Sequence, residues 1–344
     1  MKEPESPSND ATNEEAEIPS GSFQHILAVC NLADGDAATL ASAAQLASVS
    51  GAKLTVLAVV ELTFDIDRLF QDATMSREEV ERRLVADCRH QIEGLVASTA
   101  ADQPVSIEIR TGKRFIEIIR QVLAHNHDLV VKTAEELEGL TQHLLASTDQ
   151  HLLRKCPCAL WLRRPTSPTS VKTILAAVAV DEFATSQPPT QTALNHRIIR
   201  NAARIATMAQ GKLHVLNVWE APGEGLMRMW SNRGVDESVW RYVAETEARN
   251  RRWMDALLDE ARHRLRHAGV QDIELVSHLK RGEPRDIIPK QVRALAADTL
   301  VIGTIARTGI PGLIIGNTAE DVLNSVEISI VAVKPPGYVS PIRI

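Results

Sequence analysis

Apolar positions fall into two alternating patterns along this chain: short continuous runs, and stripes that recur every four residues. Ile26-Leu27-Ala28-Val29-Cys30 is a buried-type run and predicts a strand. A helical stretch from about Ala37 to Val49 follows, stopped by Gly51, and Leu54 to Val60 predicts the next strand. Val80, Leu84, Cys88 and Ile92 share one face of a long amphipathic helix. The pattern then gives a strand at Val105–Ile109, a helix at Ile116–Leu123, and strands at Asp128–Val131 and Ala159–Leu162.

The second half repeats that order. Strands are predicted at Ile174–Val180, Leu213–Trp219, Ile273–Leu279, Thr299–Ile302 and Ile328–Val333. Helices are predicted at Leu194–Met208, along the stripe Trp253, Leu257, Ala261, Leu265, and at Ile287–Ala296. Equivalent landmarks lie 148 residues apart at the opening strands (Ile26, Ile174), 160 at the glycine breaks (Gly51, Gly211) and 170 at Asp128 and Asp298. The offset grows because the second half has longer connections, notably Glu220 to Asp236. A period this long means two whole domains rather than a solenoid.

Strands and helices in alternation, with nearly continuous apolar strands, predict parallel sheets covered on both faces. The fold class is therefore α/β: two tandem doubly wound domains, each with a five-stranded parallel sheet. The expected layout is a disordered acidic tail (1–21), a first domain (22–164), a Pro/Ser/Thr linker (165–170), a second domain (171–336) and a short tail (337–344). In such sheets ligands bind beyond the carboxyl ends of the strands, where strand order reverses. That places any small-molecule site after the first and fourth strands of each half.

Composition narrows the partners. The 344 residues are 44% hydrophobic but only 3% aromatic, so the cores must be built from Ala, Val, Leu and Ile. Net charge is −6, and residues 1–20 carry one lysine against six acidic residues, leaving the rest nearly neutral. Without a basic field, non-specific nucleic-acid binding is not expected. No run of 18 apolar residues occurs, so no transmembrane segment is expected, and the leader lacks the apolar stretch of a signal peptide. Four cysteines in a long chain point to reduced thiols and a cytoplasmic setting.

Candidate chemistry concentrates after the fourth strand of the second half, in Gly303-Thr304-Ile305-Ala306-Arg307-Thr308-Gly309-Ile310-Pro311-Gly312 and on to Gly316-Asn317-Thr318. Glycines at a strand's carboxyl end let a phosphate approach the backbone, and a helix starting near Thr318 would aim free N–H groups at the same place. The segment resembles the nucleotide-binding loop of the universal stress protein family: Gly, two residues, Gly, nine residues, Gly, then Ser or Thr. Gly303 and Gly316 match the first and last glycines. Ala306 stands in place of the middle one, and Asn317 where Ser or Thr is usual. Gly-Thr-x-x-Arg-Thr-Gly-Ile, Gly-Asn-Thr-Ala-Glu, and Thr148 to Pro157 in the first half are similar to the tandem E-type branch.

The resemblance implies stress adaptation, with ATP or another phosphorylated ligand contacting Gly303, Thr304, Arg307, Gly316, Asn317 and Thr318. It also implies two halves packed as an internal pseudo-dimer through their last strands, and further homo-oligomer assembly. The family usually ends its first strand with Asp. Asn31 takes that place in the first half and Ala179 in the second, with Asp181 two residues on as a substitute base-side contact. In the first half, Thr133, Glu136 and Ala146 replace the three glycines, and Glu135, Glu136 and Glu138 would repel an anion. That half is read as a copy that binds no phosphate.

Plainer roles stand beside these. Asn317-x-x-Glu320 and Ser147-x-x-Gln150 fit capping boxes, and the glycines fit turn geometry alone. Cys156-Pro157-Cys158, His263 with His267, and His125 with His127 are too few for a closed metal site. Met227, Met229 and Trp230 are read as the packing face of a local helix, with a greasy ligand wall as the alternative. No nucleophile elbow or Walker-type run occurs, which favours binding over turnover. A slow Mg²⁺-dependent ATP phosphohydrolase and a ligand-free scaffold are the competing readings. A sheet fused from both halves, or bulky side chains plugging the crevice beside Gly303 and Gly316, would count against the whole scheme.

Overall fold

The computed structural model describes residues 22–61, 76–135, 146–180, 189–209, 212–230, 237–270, 273–304 and 316–344. Asp181, Arg307, Gly309, Gly312, Gly211 and the acidic leader lie outside them.

The first half runs β1 (His25–Val29), α1 (Asp36–Ser50), β2 (Lys53–Val60), α2 (Arg77–Thr99), β3 (Val105–Thr111), α3 (Arg114–His125), β4 (Leu129–Thr133), α4 (Ser147–Lys155) and β5 (Ala159–Arg163). The second runs β6 (Thr173–Val178), α5 (Pro189–Ala209), β7 (Lys212–Trp219), α6 (Glu224–Trp230), α7 (Glu237–His267), β8 (Leu275–Arg281), α8 (Pro284–Leu295), β9 (Thr299–Gly303), α9 (Asn317–Ser325) and β10 (Ser329–Val333). The local causes are visible. Gly51 takes a left-handed φ of 65° and closes α1 through its N–H to Ala47 and Ser48 carbonyls. Ser76 caps α2 by accepting from the Glu79 N–H at 3.2 Å.

Each half has strand order 3-2-1-4-5 in its own numbering, all parallel, so strand order reverses between β1 and β4 and again between β6 and β9. The halves meet through their last strands. β5 pairs antiparallel with β10 (Leu160↔Ala332, Trp161↔Val331, Leu162↔Ile330), giving a ten-stranded sheet. The sheet is thus continuous, yet each half keeps its complete doubly wound order. The union is edge-to-edge pairing, which removes two open sheet edges from solvent. Trp161 is fully buried at this seam.

Symmetry persists in detail. Asp128 accepts from the Gln24 and His25 N–H groups, and Asp298 from those of Lys172 and Thr173, so one aspartate braces the start of each half. After its last strand each half sends a cation across the seam: Arg164 donates to the Val326 carbonyl, and Lys334 to the Leu153 carbonyl. Two apolar layers, one on each sheet face, run through both halves. The 165–170 segment is tied down, with Arg163 donating to the Pro168 carbonyl at 2.6 Å and Ser42 to that of Thr169 at 3.0 Å.

One expectation is corrected here. The Glu220–Asp236 connection does hold a helix, α6, but of the residues expected on its packing face Met229 is 77% exposed, while Met227 is half-buried. α6 is held instead by Glu224, paired with Arg228 and Arg281, and by the Gly223 N–H donating to the Tyr242 hydroxyl.

Candidate ligand site

The two crevices at the strand-order reversals are built differently. In the first half, Lys132 points from β4 into the crevice with no exposure at all, which only an ion pair makes tolerable. Its Nζ lies 2.9 Å from Glu135 Oε1 and 3.0 Å from Asp149 Oδ1. Arg114, at the start of α3, donates to the same Glu135 oxygen at 3.2 Å, and the Asn31 amide does so at 3.3 Å. Asp149, in the first turn of α4, accepts from the Glu135 N–H at 2.7 Å. Burial raises the Glu135 carboxyl, but Lys132 and Arg114 outweigh it and hold the group below its usual range. For Asp149 burial wins over the pull of Lys132, and the carboxyl is raised.

Behind that cluster, Asp36 braces the loop after β1. It accepts from the Asn31 and Ala33 N–H groups at 2.6 and 3.2 Å and from the Thr133 hydroxyl at 2.7 Å. The protein's own carboxylates thus occupy the place where an anion would sit, and the helix start carries its own negative charge.

In the second half the matching positions are Ile302 for Lys132 and Ala319 for Asp149, both buried and apolar. Asn195 takes over the bracing: its amide accepts from the Ala179 N–H at 3.2 Å and donates to the Ala179 carbonyl at 2.8 Å. Gly316 precedes α9 in extended conformation, and no side-chain cap covers the first turn. Glu320 in that turn faces Arg154 at 3.7 Å. The start of α9 therefore offers backbone N–H groups and the positive end of a helix dipole with no buried carboxylate among the described residues of its first turn.

The floor of this crevice is less open than the glycine pattern predicts. A Cβ at Gly303 would lie 3.0 Å from Leu194 Cδ2 and 3.4 Å from Ile198 Cδ1, so Gly303 admits the packing of α5 onto β9. Thr304 is fully buried, and its hydroxyl accepts from Lys334 Nζ at 2.6 Å. Burial lowers Lys334 to about 8.

This duplicated fold has known relatives. The universal stress protein family model matches residues 22–164 and 177–334. The chain belongs to the universal stress protein family. Universal stress protein E of Salmonella typhi is 27% identical over 331 residues, 94% of this chain and 98% of that protein. Universal stress protein E of Escherichia coli K12 is 26% identical over 328 residues, covering 94% and 97%. Among solved structures, a functionally unknown protein from Pseudomonas aeruginosa PAO1 superposes with TM-score 0.57 at 24% identity, over 92% of this chain and 94% of that one. A universal stress protein from Archaeoglobus fulgidus does so with TM-score 0.55 at 17% identity, over 92% and 99%. Family membership supports a stress-response role.

Of the residues that the sequence marks in this universal stress protein, the structure brings Gly303, Thr304 and the start of α9 to one end of the β9–β10 pair. Thr318 is exposed there. Asp181 and Arg307 fall outside the described residues. Cys156 and Cys158 lie 3.6 Å apart, sulfur to sulfur, buried beside the seam. The His263 and His267 rings meet edge to face on α7, with centroids 4.3 Å apart and planes at 65°. No group of three or more metal-ligating side chains occurs among the described residues, and no described helix is long and apolar enough to cross a membrane.

Sequence reading missed Lys132, Asp149, Asp36 and Asn195. Lys132 did carry a signal. A lysine inside Leu-Val-Val-Lys-Thr, an otherwise continuous apolar strand, requires a buried counter-charge.

Proposed function

We propose that this universal stress protein acts in stress adaptation by binding a nucleotide or another phosphorylated small molecule in its second half, the first half being a non-binding copy. One contrast carries the reading. Asp149 places a buried carboxylate in the first turn of α4, whereas Ala319 leaves the first turn of α9 free of one. Phosphate oxygens would accept from the N–H groups of Gly316, Asn317 and Thr318, with Arg307 from the preceding loop as counter-charge. Gly303 and Thr304 would shape the floor rather than touch the ligand, because Leu194 and Lys334 already engage them. ATP is one member of the ligand class, and Asp181 is the base-side candidate. Binding without turnover is the favoured mode, since the sequence carries no nucleophile elbow and no Walker-type run.

The test is a calorimetric titration of the full chain with ATP, ADP, AMP and UDP, together with native mass spectrometry of freshly purified protein. Wild type is expected to bind at least one of these or to carry a phosphorylated molecule through purification. Gly316→Asp should abolish binding by placing a carboxylate at the start of α9, while Ala146→Asp at the matching place before α4 should change nothing. An empty wild type that ignores every nucleotide, or binding that survives Gly316→Asp, would remove this reading.

A further inference from the structure

Cys156 and Cys158 flank Pro157 where α4 gives way to β5, and their Sγ atoms lie 3.6 Å apart. A disulfide bond needs about 2.05 Å, so side-chain rotation of modest size closes the gap. Pro157 locks one backbone torsion between the two cysteines, which limits how far they can drift apart. Both sulfurs are inside the protein: Cys156 is 1% exposed and Cys158 8%.

The chain after β10 crosses this turn from the other half. Lys334 donates to the Leu153 carbonyl, and the Tyr338 hydroxyl donates to the Arg154 carbonyl at 2.6 Å. Carbonyls left free at the end of α4 are thereby satisfied. Further on, the Arg343 carbonyl accepts from Arg120 of α3, and Ile342 packs against the apolar layer that contains both cysteines. The pair thus sits under a strap formed by residues 335–344.

The end of a helix disfavours negative charge, and so does burial. Two features oppose them at Cys156. The Cys158 thiol donates a hydrogen bond to its sulfur, and the nearby Lys334 ammonium attracts the thiolate, so Cys156 is lowered. The same hydrogen bond pushes Cys158 up. The thiolate is the reactive form of cysteine, which makes Cys156 the attacking sulfur and Cys158 the resolving one. Burial raises the other two thiols, Cys30 and Cys88.

We propose that Cys156-Pro157-Cys158 is a redox modification site, a dithiol that small peroxides oxidise to an internal disulfide and that dithiol reductants restore. The Cys156 thiolate attacks one oxygen of hydrogen peroxide and the O–O bond breaks. The departing hydroxide takes up the proton that the thiol released, leaving a sulfenic acid and water. The Cys158 sulfur then attacks Cys156 Sγ. An S–S bond forms, the S–O bond breaks, and this hydroxide takes up the Cys158 proton as a second water. The dithiol loses two electrons and peroxide gains them. A bridge closing so short a loop constrains the unfolded chain little, and strained bridges are the easily reduced ones. The site suits reversible change rather than a permanent brace.

The experiment exposes reduced full-length protein to a slight excess of hydrogen peroxide and alkylates the remaining thiols with iodoacetamide after unfolding. The readout is the tryptic peptide Cys156–Arg163, which carries both cysteines of the pair and neither of the others. In wild type it should become an unalkylated form two hydrogens lighter, at least tenfold faster than Cys30 or Cys88 is oxidised, and dithiothreitol should return it to the dialkylated form. With dimedone present, Cys158→Ser should be labelled at Cys156, and Cys156→Ser should be labelled at Cys158 at least tenfold less. The proposal is overturned if the native pair stays fully alkylatable, if the bridge forms only after unfolding in urea, or if Cys30 or Cys88 oxidises first. It is equally overturned if peroxide drives the pair to an acid that dithiothreitol does not reverse, or if dimedone labels neither variant or only Cys156→Ser.

Discussion

The two halves of this universal stress protein share strand order, bracing aspartates and cross-seam cations, yet they treat the same crevice in opposite ways. The first half fills it with Lys132, Glu135, Asp149 and Arg114, a closed circuit of charge. The second half puts Ile302 and Ala319 at the matching places and leaves a helix start without a buried carboxylate, its first-turn Glu320 facing Arg154 instead. The difference teaches that one backbone frame can treat its crevice in two ways: in the first half side chains of the chain itself satisfy the buried cation and the helix dipole, and in the second apolar residues stand there instead.

The ion circuit gives the strongest way to break the comparison. Lys132→Ile alone should cost about 3–5 kcal/mol, because it leaves Asp149 buried without its cation. Adding Asp149→Ala, which copies the Ile302/Ala319 pair, should recover most of that loss in urea unfolding. Equal destabilisation of the single and double variants would show that the circuit is not what holds this crevice.

A second asymmetry sits just before the fourth strands, where buried His127 stands opposite Ala297. Burial, then the neighbouring His25, lowers His127 to about 3, and the two rings stack with centroids 3.7 Å apart. The unfolded chain takes up a proton near pH 6.5, which the folded His127 refuses until about pH 3. Stability contributed by the neutral ring is therefore complete above pH 6.5 and drains away as pH falls towards 3. His127→Ala should remove a loss on the order of 2 kcal/mol between pH 6.5 and pH 4, seen as a flatter acid limb in thermal unfolding. An unchanged acid limb would place the titrating group elsewhere.

The smallest effect tests how far the symmetry reaches. Asn126 and Ala296 end α3 and α8 in the same left-handed conformation, at φ 52° and 48°. Asparagine tolerates that region, whereas an alanine Cβ crowds the carbonyl there. Ala296→Asn should stabilise the second half by about 1 kcal/mol, and Asn126→Ala should destabilise the first by a similar amount. Melting temperatures that do not move in opposite directions would break the correspondence.

Much of the architecture was legible in the residue pattern. Four-spaced stripes marked the long helices, and Gly51 marked the end of α1, where φ is 65°. Val80 and Ile92 of one stripe are buried as the period requires, though Leu84 of the same stripe is 37% exposed because α2 lies over the rim of the sheet rather than its centre. The site was legible only in part. The glycine spacing drew attention to Gly303, but sequence could not reveal that Leu194, more than a hundred residues earlier, presses on it. Met229 misled because an apolar residue on a short helix looks the same whether it faces a core or water.

By itself, then, the order of residues determined a duplicated βαβ chain and which half carries the glycine spacing. Those features follow from backbone geometry, whose periods of two and 3.6 residues are written locally. Tertiary structure alone decided the antiparallel pairing of β5 with β10 and the meeting of Lys132 with Asp149. Each joins residues far apart in the chain, so it depends on sheet register and helix packing, which no local period encodes.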